Sequence, residues 1–203
     1  IHPDAIELCD DGIDNDCDDA EDQWDSDCNP HVSSRDHWSG VAAGGDHGCG
    51  VRDGRWVSCW GDDSYGQSSA PGIALDDIDA GFDHTCALKS DGYVKCWGAD
   101  DAGQAFSPPG ATFVQVSAGN GFTCGVREDE TLQCWGSSAA GQIDAPEGTF
   151  PQVSAGPGQH ACAVSTAGFR VCWGADDPGQ SRAPAATVKR AVSRGHHRRA
   201  PRR

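Results

Sequence analysis

The sequence predicts an all-β repeat protein. Three observations carry that prediction: four cysteine pairs at one spacing, a tryptophan directly after each pair, and an alternating hairpin pattern between the paired cysteines. The pairs Cys49/Cys59, Cys86/Cys96, Cys124/Cys134 and Cys162/Cys172 are each ten residues apart, and successive pairs follow at 37, 38 and 38 residues. Trp60, Trp97, Trp135 and Trp173 follow the second cysteine, and Gln67, Gln104, Gln142 and Gln180 lie seven residues beyond each Trp. Self-similarity held in this way defines a repeat architecture. The repeats run over about 37–74, 75–111, 112–148 and 149–186, preceded by a module at 1–36 and followed by a basic tail at 187–203.

Within a repeat, "CALKSDGYVKC" (86–96) alternates around a turn, with Leu88 and Val94 on one face and Lys89 and Tyr93 on the other. Asp91-Gly92 provides the positive φ that a hairpin turn needs. Counting outward from Asp91 sets Cys86 opposite Cys96, close enough for a cross-strand disulfide. Closing such a loop contributes roughly 2–3 kcal/mol in the chain-entropy model. A unit of this size cannot hold its hairpin alone, and the staple compensates.

A repeat of about 38 residues with short strands and one Trp has the size of a propeller blade. The pattern of "AGFDHTCALKSDGYVKCWGADDAGQ" (80–104), with related copies "AAGGDHGC", "SAGNGFTC" and "SAGPGQHAC", resembles the repeat of the regulator of chromosome condensation family in its short bacterial form. The resemblance covers nearly three quarters of the chain. It implies a β-propeller of four-stranded blades, commonly seven to a ring, and protein partners. Here four repeats are complete, a partial propeller. "AVSRGHH" (191–197) echoes the start of a fifth, and "RRAPRR" follows where "TCAL" is due. The expectation is a truncated or frame-shifted piece of a longer propeller; a closed four-bladed ring and a ring completed by oligomerisation are the alternatives.

The N-terminal stretch "ELCDDGIDNDCDDAEDQWDSDC" (7–28) has another composition. Asp14, Asp16 and Asp18 have the spacing of positions 1, 3 and 5 of a calcium loop, Ala20 offers a carbonyl at 7, and Asp22 and Asp25 fall at 9 and 12. Asp19 stands where such loops carry Gly, and Asp25 is shorter than the usual Glu. The stretch also resembles the Cys/Asp-rich metal-binding motif of exported bacterial surface proteins, matching it at Glu7, Cys9, Asp11, Gly12, Asp14, Asn15, Asp16, Cys17, Asp18, Asp22, Asp27 and Cys28. Some members of that group are described as binding copper. Dense oxygen ligands, few His and no Met make Ca²⁺ the better chemical fit. Cys9, Cys17 and Cys28 form an odd set, so one thiol is left free or pairs between chains.

Eleven cysteines in 203 residues indicate an oxidising compartment, and the reading is a secreted or extracellular surface protein of bacterial type. No apolar run approaches the roughly 18 residues of a membrane span. No N-terminal export signal is legible either, so export requires a leader that was removed or lies outside this sequence. The formal charge is −16, and the seven Lys and Arg of 187–203 leave eight against 31 acids in the rest. Such a body repels nucleic acid and attracts cations.

His47, His84 and His160 recur at one repeat position where the third repeat has Phe122, so they read as structural hydrogen-bonding groups. The four repeat tryptophans read as packing, as does Trp38, which aligns with Phe113 and Phe150. Trp56 sits on the first hairpin as a candidate partner anchor. The loops after each Trp carry Asp62/Asp63, Asp100/Asp101 and Asp176/Asp177, which should gather on one rim as a recognition surface or weak cation sites. No nucleophile with its base, closed zinc set or phosphate loop is present, and no one carboxylate pair stands out. The sequence therefore reads as an exported, non-catalytic scaffold for protein recognition with a calcium-binding module. A structural or adhesive surface protein with a calcium-stiffened stalk is the alternative, and an extracellular hydrolase ranks third.

Overall fold

The structure, a computed structural model, describes residues 38–52, 55–177 and 179–182. The chain divides into two units, Ile1–Ser39 and Gly40–Arg203, and apart from Trp38 and Ser39 every described residue belongs to the second. Among the described residues all regular structure is strand: β1 (Trp38–Ala43), β2 (His47–Arg52), β3 (Val57–Gly61), β4 (Asp77–Ala80), β5 (His84–Leu88), β6 (Val94–Gly98), β7 (Phe113–Ala118), β8 (Phe122–Arg127), β9 (Leu132–Gly136), β10 (Gln152–Ala155), β11 (His160–Val164) and β12 (Arg170–Gly174). These form four three-stranded sheets, β1-β2-β3, β4-β5-β6, β7-β8-β9 and β10-β11-β12, one blade per repeat.

Among the described residues each blade has three strands, where the family resemblance implies four. After β3, β6, β9 and β12 the chain enters two consecutive tight turns. In the first repeat Gly66 N–H donates to the Asp63 carbonyl and Ser69 N–H to that of Gly66, and in the second Gly103 donates to Asp100 and Phe106 to Gly103. Backbone groups satisfied within turns are not available to a ladder.

Each β-hairpin has the register expected from its turn. Leu88 faces Val94 and Cys86 faces Cys96, with the same offset at Cys49↔Cys59, Cys124↔Cys134 and Cys162↔Cys172. All four pairs are disulfide-bonded, with Cα atoms 4.0–4.1 Å apart. That is the close spacing of a non-hydrogen-bonded cross-strand pair. Gly92 closes its turn at φ +79°, donating its N–H to the Lys89 carbonyl. Its own carbonyl accepts from Phe113 N–H, the first residue of β7 (2.8 Å). The Arg55 and Glu130 carbonyls take the N–H of Leu75 and Phe150 in the same way, so the first three hairpin tips are each tied to the entry of the next blade.

The apolar core lies between blades. Cys49, Val51, Leu75, Ile78, Ala87 and Trp97 form one cluster. Cys86, Leu88, Val94, Phe113, Val116 and Trp135 form a second, and Phe122, Val126, Phe150, Val153, Ala161 and Ala163 a third. Burying each larger aliphatic or aromatic side chain contributes about 1.5–3 kcal/mol. Trp38, aligned with buried Phe113 and Phe150, is half-buried and not core: Phe113 and Phe150 each enter against the preceding blade, whereas Trp38 opens the first of the described sheets.

Candidate functional site

The recurring polar residues meet where one blade packs on the next. His47 Nε2 lies 2.8 Å from the Thr85 hydroxyl of the following blade, and His84 Nε2 lies 2.9 Å from that of Thr123. Thr85 donates its only hydroxyl proton to the Gln67 carbonyl (3.1 Å), and Thr123 to that of Gln104 (3.0 Å). Each hydroxyl must then accept from histidine, which fixes the tautomer with the proton on Nε2. The same carbonyls accept the indole N–H of Trp97 (2.9 Å) and Trp135 (3.1 Å), and the Gln142 carbonyl accepts that of Trp173. The Gln side chains hold the loops, taking the backbone N–H two residues earlier at Tyr65, Ala102 and Ala140 (each 2.8 Å). In the fourth repeat Pro178 stands at that place and has no N–H; Gln180 Oε1 is buried without a partner.

Phe122 follows the same logic. Its neighbour position in the next blade is Ala161, where Thr85 and Thr123 stand in the earlier blades, and both Phe122 and Ala161 are fully buried in one cluster. The histidine and the hydroxyl are lost together, leaving an apolar contact. Beneath each ring lies a glycine: a Cβ on Gly44, Gly81 or Gly119 would fall 2.3, 2.6 or 2.4 Å from the ring of His47, His84 or Phe122.

Burial holds both interblade histidines neutral. It lowers the pKa of His47 against the pull of Asp83, Asp62 and Asp46, and it pushes His84 down to about 4, with His47 adding to the effect. In each ring Nδ1 is buried with no partner, so a second proton would have no acceptor.

The innermost strands are joined differently. Asp79 accepts from Ala118 N–H (2.9 Å) and from the Ser117 hydroxyl, and Ser117 Oγ accepts from Ala155 N–H (2.9 Å). The Gln115 amide bridges the main chain of Val153 in both senses, at 2.9 and 3.0 Å. Burial raises the Asp79 carboxyl above its usual range despite these donors.

The aspartate loops do share one end of the blades. Asp62 N–H donates to the Asp46 carbonyl and Ala99 N–H to that of Asp83, which places each post-Trp loop beside its own β-turn. Their carboxylates mostly brace their own loops. Asp62 accepts from Ser64 and Gln67, Asp63 from Ser68 N–H and Ser69, Asp100 from Ala105 N–H, and Asp176 from Ser181 N–H and Arg182. Hydrogen bonds from Ser64 and Ser69, respectively, lead the causes that lower the pKa of Asp62 and Asp63. Asp101 and Asp177 are exposed. Among the described residues no three His, Cys, Asp or Glu stand together as a metal set. Asp14, Asp16, Asp18, Asp22 and Asp25, with Cys9, Cys17 and Cys28, lie outside the described residues.

Trp56 is exposed at the first hairpin tip, and Tyr93 and Phe169 are exposed at the same repeat position in the second and fourth. Thr131 takes that position in the third. Sequence reasoning found Trp56 alone, although all four residues lie seven beyond the first cysteine of their repeats. It also missed Thr85, Thr123, Asp79, Gln115 and Ser117. The pairing of His with Thr and of Phe with Ala one repeat later was the available signal.

The family model of the Regulator of chromosome condensation (RCC1) repeat matches residues 76–104 and 113–142, the second and third blades. Two of the four repeats thus match the RCC1 repeat. The ectodomain of the Physcomitrella patens receptor kinase CR4 is similar at 27% identity and a TM-score of 0.63, covering 71% of this chain and 42% of that one. The CRINKLY WD40 ectodomain of the Arabidopsis thaliana receptor kinase ACR4 is similar at 28% identity and a TM-score of 0.58, covering 68% and 53%. Prp20p of Saccharomyces cerevisiae, described with its binding to Gsp1p and histones, shares the fold at 18% identity and a TM-score of 0.64, over 71% and 47%. This chain thus spans about half the length of these structures or less. No curated protein matches in sequence. The fold is an RCC1-type β-propeller built from disulfide-stapled blades.

Proposed function

We propose that this RCC1-type propeller is a non-catalytic scaffold that binds a protein partner through the hairpin-tip end of its blades, in an oxidising extracellular setting. The carrying observation is how the repeat residues are used. His47, His84, Thr85, Thr123, the repeat cysteines, Trp97, Trp135, Gln67 and Gln104 are engaged within or between blades, while Trp56, Tyr93 and Phe169 stand exposed at equivalent tips. Exposed aromatics on rigid turns suit protein recognition, because they bring large contact area at little entropic cost. The Saccharomyces cerevisiae neighbour is described by its binding of proteins, and the plant neighbours are ectodomains, which supports both halves of the reading. The four within-repeat disulfides accord with an oxidising compartment.

Residues 14–25 are assigned to Ca²⁺ on sequence spacing alone, as an ion that stabilises the N-terminal module. The test is cross-linking to extracellular proteins of the source organism, comparing the wild type with Trp56→Ser/Tyr93→Ser/Phe169→Ser. The expected result is a saturable partner whose capture falls at least about tenfold in the triple variant, as for loss of hot-spot residues. Equal capture by the variant, or turnover in a glycan and peptide hydrolysis screen, would contradict it.

A further inference from the structure

The chain has three asparagines, Asn15, Asn29 and Asn120, of which Asn120 lies among the described residues. With Gly121 it forms the turn between β7 and β8, where Gly119 N–H donates to the Phe122 carbonyl (2.8 Å) and Gly121 has φ +72°. Gly45 and Phe82 take the place of Asn120 in blades 1 and 2, so repetition does not require an amide there. Asn120 is half-buried, and among the described residues its side chain has no hydrogen-bond partner. Gly121 N–H is unpaired too, although the flanking carbonyls are used: Gly119 accepts from Phe82 N–H (3.1 Å) and Gly121 from Ser137 N–H (2.8 Å). The turn lies between those of blades 2 and 4, since a Cβ on Gly119 would meet the Gly156 carbonyl at 3.0 Å.

The second hairpin supplies a contrast. Asp91-Gly92 is a similar pair, yet Gly92 N–H donates to the Lys89 carbonyl (2.9 Å), and the Asp91 carboxylate holds Lys89 Nζ (2.6 Å) and Tyr93 N–H (3.2 Å). The bond from Lys89 leads the causes that lower the Asp91 pKa, and an ionised carboxylate has no group ready to leave.

We propose that Asn120 is a site of spontaneous deamidation, reached by the free main-chain nitrogen of Gly121. That nitrogen loses its proton and bonds to Asn120 Cγ, and the side-chain nitrogen leaves with the proton as ammonia, closing a five-membered succinimide. Glycine has no Cβ to hinder the approach. Water then opens the ring at either carbonyl. Breaking the bond from Gly121 N to Cγ leaves aspartate; breaking the bond from Gly121 N to the main-chain carbonyl of residue 120 leaves isoaspartate, with one more carbon in the main chain. Both products add a negative charge. Isoaspartate also lengthens a turn whose carbonyls hold Phe82 of blade 2 and Ser137 after β9, so it loosens that junction.

The test is timed incubation of the full chain at mildly alkaline pH with peptide mapping by mass spectrometry, beside free peptides of residues 118–123 and 89–94. Asn120 in the folded chain should convert within about tenfold of its peptide, and Asp91 should isomerise at least about tenfold more slowly than in its own, a barrier difference of about 1.4 kcal/mol. The melting temperature should fall with age in the wild type and hold in Asn120→Gln. Fresh Asn120→Asp, which has the charge without the extra carbon, should melt with fresh wild type. An Asn120 amide that survives while its peptide converts would overturn the proposal, as would an Asp91 no better protected than Asn120.

Discussion

His84 is the residue whose chemistry its place between blades changes most. It is wholly buried, donates Nε2–H to Thr123 and has no acceptor at Nδ1, so its folded pKa of about 4 lies below the ordinary 6.5. For a base held neutral, stability is complete above the unfolded value and is lost as pH falls from about 6.5 toward 4, because the unfolded chain takes up the proton first. At about 1.4 kcal/mol per pH unit the loss approaches about 3 kcal/mol. His47 shifts the same way. Asp79 opposes it: a carboxyl raised by burial contributes most in acid, and that contribution is lost as pH rises through its folded value. The expected outcome is a melting temperature that drops between pH 6.5 and 4, measured by calorimetry, with a markedly flatter profile in His84→Phe/Thr123→Ala. Equal slopes in the two proteins would contradict the assignment.

At the scale of the element, the hairpin turn decides how blade joins blade. Its last residue is Gly92 or Gly168 at φ +79° and +83°, but Arg55 and Glu130 hold the same left-handed conformation at +69° and +64°. That region disfavours side-chain-bearing residues by roughly 1–2 kcal/mol. The turn survives because the carbonyl of Glu130 is needed by Phe150 N–H (2.7 Å), which anchors the next blade. Glu130→Gly should therefore raise stability by about 0.5–1 kcal/mol, the strain relief exceeding the entropy that glycine adds to the unfolded chain. Denaturant titration reads it directly, and an unchanged or lower midpoint would contradict the strain account. Arg55→Gly is less clean, since Arg55 also pairs with Asp76 at 3.0 Å.

The hairpins, their register and their staples were legible because the two-residue alternation, the ten-residue cysteine spacing and, in the second repeat, Asp91-Gly92 fix all three locally. The blade junctions were less so. Thr85 looks like an ordinary strand residue until its distance to His47, 38 positions earlier, is known. The three-stranded form of the described blades was hidden as well, because four-stranded blades came from family likeness, whereas the loops after Trp60 and Trp97 spend the hydrogen bonds of their Asp, Gly and Gln on turns.

At the scale of the whole array, the buried apolar residues among those described fall into three interblade clusters. That is the energetics of an array in which each unit depends on its neighbours. The same residues recur because the same junction recurs. On the proposed reading, the exposed aromatic residues of the hairpin tips are what remains for recognising a partner.

The central claim, that the repeated polar residues exist to join blade to blade, is tested most directly by a double-mutant cycle across one junction. His84→Phe and Thr123→Ala should each destabilise by about 1–3 kcal/mol, since each leaves a buried group unmatched. The double variant recreates the Phe122/Ala161 contact of the next junction and should recover at least about 1 kcal/mol relative to the sum. Effects that add to within about 0.5 kcal/mol would show that the two residues act independently and would contradict the account.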